Sequence, residues 1–132
     1  MFNSRLKALL FCWLPWHLYL AAIFIASSIS KPEQVLHMKI EDFLMHPLEY
    51  ILLPIFTFHA FRNSNPEILK TRVIRMGILF CLFYAASDEF HQMFVPGRHA
   101  DLMDWLYDLI GISAGTFLYF RFHGKQDSSV PA

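Results

Sequence analysis

Asp88 and Glu89 stand side by side at the end of an apolar run, Ile78 to Ala86, and a second apolar stretch, Leu106 to Phe122, begins a few residues later. Ionisable groups in or near a membrane helix are expensive, roughly 2.5–3.5 kcal/mol each at the bilayer centre and less near an end. Neighbouring carboxyl groups in apolar surroundings titrate in separate steps, which suits general acid–base chemistry. Asp88, Glu89, Asp104 and His46 are therefore the catalytic candidates. The same side chains offer oxygen and nitrogen ligands to a divalent metal. Arg98 follows the turn Val95-Pro96-Gly97, where proline fixes one dihedral and glycine permits positive φ. A guanidinium held there suits bidentate contact with a phosphate or carboxylate. The sequence contains no nucleophile motif and no dense metal signature, so whether the chain is an enzyme stays open.

Helical spacing decides which of these residues can meet. Asp42, His46, Glu49 and Tyr50 fall at i, i+4, i+7 and i+8, one face of a helix. Tyr84, Asp88, His91 and Gln92 repeat that spacing, with Glu89 beside them. Asp104, Asp108, Gly111 and Gly115 share a third face, and Gly111-Ile-Ser-Ala-Gly115 is a small-xxx-small pattern. That pattern is expected to bring Asp104 and Asp108 against the helix of Asp88. The expected ligand-binding set is Asp42, His46, Tyr50, Asp88, Glu89, Gln92, Arg98, Asp104 and Asp108, with His91 as a further partner for the carboxylates. Asp101 reads as a solvated loop residue.

The elements that must position them are membrane spans. The chain has 132 residues, 55% hydrophobic and 17% charged, with 14 phenylalanines and a mean hydropathy of +0.37. Soluble domains carry about 25% charge. Runs of about 20 apolar residues occur at 9–29, 43–61, 73–94 and 105–122. The fold class expected is all-α: four transmembrane helices in one bundle, a single domain over 1–124, and a polar tail over 125–132. Arg5-Leu-Lys7, the apolar run and Ala26-Ser-Ser28 loosely resemble a cleavable leader; the length of the run favours a retained span. Arg5, Lys7, Arg62, Lys70, Arg72, Arg75, Arg121 and Lys125 flank one side, against Lys31, Lys39 and Arg98 on the other. The positive-inside rule then places both termini in the cytoplasm and the loops 30–42 and 95–104 outside. All three polar stripes fall in the outer leaflet. A formal net charge of zero gives no reason to expect a nucleic-acid partner. Cys12 and Cys81 each sit inside an apolar run and read as packing residues.

The run Asp88-Glu89, Gln92, Phe94, Pro96-Gly97-Arg98, followed by Asp104, Gly111 and Gly115, resembles the signature of the VanZ-like family. Asp42, His46 and Tyr50 resemble its earlier motif, and Ser30-Lys-Pro32 sits where its first outer loop begins. The resemblance covers about residues 9–120. Two positions depart from it: Phe43 replaces a usual lysine, and Asp108 stands where asparagine is frequent, so this site is more acidic. The resemblance implies a small integral membrane protein of the cell envelope and a link to resistance to the glycopeptide teicoplanin. It implies no defined biochemical activity.

Three readings follow. In the first, a polar, mainly acidic site at the outer headgroup level recognises a lipid-linked envelope precursor, another envelope head group or a glycopeptide. In the second, an intramembrane enzyme works on a lipid-linked phosphate or glycosyl group, by acid–base chemistry or with a divalent metal. In the third, the polar cluster only holds the helices together. Interhelical hydrogen bonds average about 0.6 kcal/mol in membranes, small beside the insertion cost of several carboxylates.

Overall fold

The computed structural model describes residues 4–30, 42–64, 70–98 and 101–123. These form four helices, with no strand among the described residues. Helix α1 consists of three consecutive segments, Ser4–Ala8, a π-helical stretch Leu9–Trp13, and Leu14–Ser27. Helices α2, α3 and α4 span Asp42–Ser64, Lys70–Gln92 and Leu102–His123. The loop residues 31–41, with Lys31 and Lys39, the Asp42 side chain and the tail after His123 lie outside the described residues.

The most extensive helix contact is α2 against α4. Glycine explains it. A Cβ on Gly111 would stand 2.5 Å from the Pro47 carbonyl oxygen, and one on Gly115 would overlap the Ile51 carbonyl oxygen. The small-residue stripe thus lets α4 approach α2, not α3 as the sequence suggested. The facing backbone belongs to a helix that carries Pro47 and Pro54 in its interior. The Pro54 ring fills the space beside Gly115, so the two features fit each other.

Each level of the bundle has its own core. Ile23, Tyr50, Leu53, Cys81, Ala85 and Ile112 form the centre. Cys12, Trp16 and Ala60 pack together, as do Phe58, Val73 and Tyr119. Trp16 Nε1 donates to Thr57 Oγ1 at 3.0 Å, and Thr57 Oγ1 donates to the Leu53 carbonyl at 2.8 Å. The Trp16 indole N–H and the Thr57 hydroxyl are thus both paired. Both cysteines are free and buried.

The outside of the bundle is apolar on every helix. Exposed large side chains include Phe11, Leu14, Leu18 and Ile25 on α1, and Phe43, Leu48 and Leu52 on α2. They continue with Met76, Leu79, Phe83 and Phe90 on α3, and Leu102, Leu106, Ile110 and Phe117 on α4. On α3 and α4 these stripes run most of the helix length at spacings of three, four and seven. By length and composition alone, only Leu6–Ser27 among the described residues qualifies as a membrane-crossing helix. Helices α2 to α4 are as long, about 33–35 Å at 1.5 Å per residue, but carry the ionisable residues that their inner faces enclose.

Candidate functional site

The four helices bring one set of ends together: the C-terminus of α1, the N-terminus of α2, the C-terminus of α3 and the N-terminus of α4. At this end His46 is 4% exposed, Asp88 5%, Glu89 8%, Gln92 2%, and Tyr50 and Asp108 are fully buried. Burial of this many polar groups beneath an apolar exterior inverts the pattern of a soluble domain.

His46 is the hub. It sits one turn inside α2, and α4 presents Asp104 and Asp108 to it one turn apart. Its Nδ1 is 2.9 Å from Asp108 Oδ1, a hydrogen bond, and its Nε2 is 3.7 Å from Asp104 Oδ2, within ion-pair range. Glu89 enters from α3. Its Oε2 accepts the backbone N–H of Asp101 at 3.3 Å. Ligand-capable atoms of His46, Glu89 and Asp108 lie within 4.8 Å of one another. Glu49 is also within electrostatic reach of His46, Asp88 and Asp108.

A second string of contacts closes the outer edge. Arg98 Nη1 donates to Gln92 Oε1 at 3.4 Å, and Gln92 Nε2 donates to Asp88 Oδ2 at 3.3 Å. Arg98 Nε and Nη2 donate to the carbonyls of Ile29 at 3.1 Å and Ala26 at 3.4 Å. A cation at the carboxyl end of α1 complements the carbonyls exposed there. Arg98 is therefore a strap from the α3–α4 turn to α1, and three of its five N–H groups are engaged. The turn itself requires Gly97, whose φ is +82°.

Three sequence expectations need correction or completion. His91 does not join the carboxylates: its Nε2 is 3.0 Å from Ser28 Oγ and its ring lies 4.4 Å from that of Phe24. Tyr84 turns the same way and donates to the Leu20 carbonyl at 2.6 Å. Residues 84 and 91 are seven apart and face α1, whereas Asp88, Glu89 and Gln92 face the site. Asp101 is exposed, yet it supplies the N–H that fixes Glu89 and its Oδ1 accepts the Met103 N–H at 2.9 Å, capping α4. Aspartate followed by an apolar helical run was the available signal. Tyr19, not singled out at first, donates its hydroxyl to the Glu49 carbonyl.

Two further features lie at the site. A cleft of about 280 Å³ reaches Glu89 between Ala86, Asp101, Leu102 and Trp105. Glu89 Oε1, Asp108 Oδ2 and Trp105 Nε1 are buried without a hydrogen-bond partner.

The model of the VanZ/LLP1 family matches residues 8–123. The chain belongs to the VanZ/LLP1 family. The match takes in all four helices and every site residue named above. Comparison with curated proteins and with solved structures gives no match. In this VanZ/LLP1 chain Asp108 is the direct partner of His46.

Proposed function

We propose that this VanZ/LLP1 protein is a multi-pass protein of the cell envelope, related to teicoplanin-resistance proteins, with four spans and both termini in the cytoplasm. Its buried His–carboxylate site engages the polar head group of a lipid-linked or other envelope molecule from the outer leaflet. The observation that carries this reading is the pairing of an apolar exterior on all four helices with a polar cluster buried at one end. His46 lies four residues inside α2 and Asp108 six residues inside α4, about 6 and 9 Å along the axes. In a hydrocarbon layer about 30 Å thick, that depth lies just below the headgroups.

The cleft at Glu89 gives a head group a lateral route past Leu102 and Trp105. Carboxylates suit amines and hydroxyls; the two guanidinium N–H groups left on Arg98 suit an anionic group. A second reading, an acid–base or metal-assisted enzyme acting on the same molecule, draws on one observation: His46 is held between two carboxylates with a third approaching from α3. The domain assignment is a single unit over 1–124.

Two measurements test the proposal. A reporter fused after Gln126 is expected in the cytoplasm; an external signal overturns the placement of the site in the outer leaflet. The double substitution Asp88→Asn and Glu89→Gln, which keeps shape and removes charge, is expected to insert normally and abolish the envelope phenotype. An unchanged phenotype rejects both the binding and the enzymatic reading.

A further inference from the structure

We propose that His46, Glu89 and Asp108 form a binding site for one first-row divalent cation, zinc or manganese by donor type. The site stands on the geometry of α2, α3 and α4 and survives if head-group recognition fails.

The three side chains come from three helices and converge to within 4.8 Å. A cation with bonds of about 2.0–2.2 Å holds neighbouring ligands about 3–4 Å apart. Side-chain rotations of roughly 1 Å therefore close the site. Asp104 Oδ2, 3.7 Å from His46 Nε2, is placed to join as a fourth ligand or as an outer hydrogen-bond partner.

The independent observation is the set of unpartnered atoms. Asp108 Oδ2 and Glu89 Oε1 accept nothing, although Asp108 is fully buried and Glu89 is 8% exposed. The Tyr50 hydroxyl is fully buried beside Asp88. Carboxylate oxygens only accept, so an empty pair of them calls for a donor or a cation.

Charge balance points the same way. Among the described residues, the carboxyl groups of Glu49, Asp88, Glu89, Asp104 and Asp108 gather around the His46 imidazole, with the Arg98 guanidinium nearby and His91 turned away to Ser28. Arg98 is already bound to two carbonyls and Gln92. A divalent ion offsets the excess that this strap leaves.

Donor chemistry selects the ion class. One imidazole with carboxylates favours zinc, manganese or iron(II), and disfavours copper(I), which prefers thiolate and thioether. Cys12 lies in another layer of the core, and Cys81 donates to Thr57. The cleft lined by Ala86, Leu102 and Trp105 supplies an entry path to Glu89.

The test uses the full chain in detergent, stripped with chelator and titrated separately with Zn²⁺ and Mn²⁺. One ion per chain is expected. Glu89→Gln should weaken binding at least tenfold with helicity unchanged by circular dichroism, and Cys12→Ser with Cys81→Ser should leave it intact. X-ray absorption of the loaded wild-type protein should show a nitrogen and oxygen shell. Substoichiometric binding, equal affinity in Glu89→Gln, loss in the cysteine variant or a sulfur shell would each overturn the site. Cation binding without head-group capture would reject the head-group reading alone.

Discussion

His46 Nδ1 and Asp108 Oδ1 are 2.9 Å apart across the α2–α4 contact, with both residues buried. This bond joins the first polar motif of the chain to the last, across 62 residues of sequence. It also fixes the imidazole so that its other nitrogen faces Asp104.

Removing Asp108 should therefore cost stability as well as function. Asp108→Ala leaves a buried imidazole nitrogen without its partner, a loss of about 1–3 kcal/mol. Asp108→Asn keeps an acceptor and should cost less. Thermal unfolding in one detergent compares the two. Equal melting temperatures for wild type and Asp108→Ala would show that the bond contributes nothing to the fold.

The glycine contact makes a separate prediction. Gly115→Leu drives a side chain into the Ile51 carbonyl and Pro54 ring, and backbone cannot yield as a flexible side chain can. Destabilisation of at least about 1–3 kcal/mol is expected, the range for overpacking. Ser113→Leu is the control, because Ser113 is exposed on the same helix. The same unfolding measurement should separate them; tolerance of Leu at both positions would contradict the close α2–α4 packing.

Arg98→Lys tests the strap. An ammonium on a single stem cannot reach Ile29, Ala26 and Gln92 together as the guanidinium fork does. Amide exchange in the α3–α4 turn and at the end of α1 should rise by about tenfold or more, equivalent to about 1.4 kcal/mol of local stability. Exchange confined to wild-type rates would mean that the three bonds do not hold the turn.

Helical periodicity made much of this legible. The apolar runs gave all four helices, and spacings of three and four placed His46 with Tyr50 and Asp104 with Asp108. Helix pairing was not encoded the same way: Gly111 and Gly115 announce a close approach but not the partner, which Pro47, Ile51 and Pro54 decide. His91 was misplaced because a single face was assumed on α3. At about 100° per residue, His91 sits roughly 110° around from the centre of Asp88, Glu89 and Gln92. That offset carries it to Ser28 on α1. The contact of Asp101 with Glu89 rests on a backbone N–H, which no side-chain pattern displays, whereas its capping of α4 is signalled by an aspartate before an apolar helical run.

The central claim is that the carboxylates of α3 recognise an envelope head group. The most direct measurement is lipidomic comparison of wild-type protein with the Asp88→Asn/Glu89→Gln variant, purified from the same membranes. A head-group-specific lipid or lipid-linked precursor should copurify with the wild type and be depleted at least tenfold in the variant. An identical lipid profile, with the variant inserted and folded, would contradict the account.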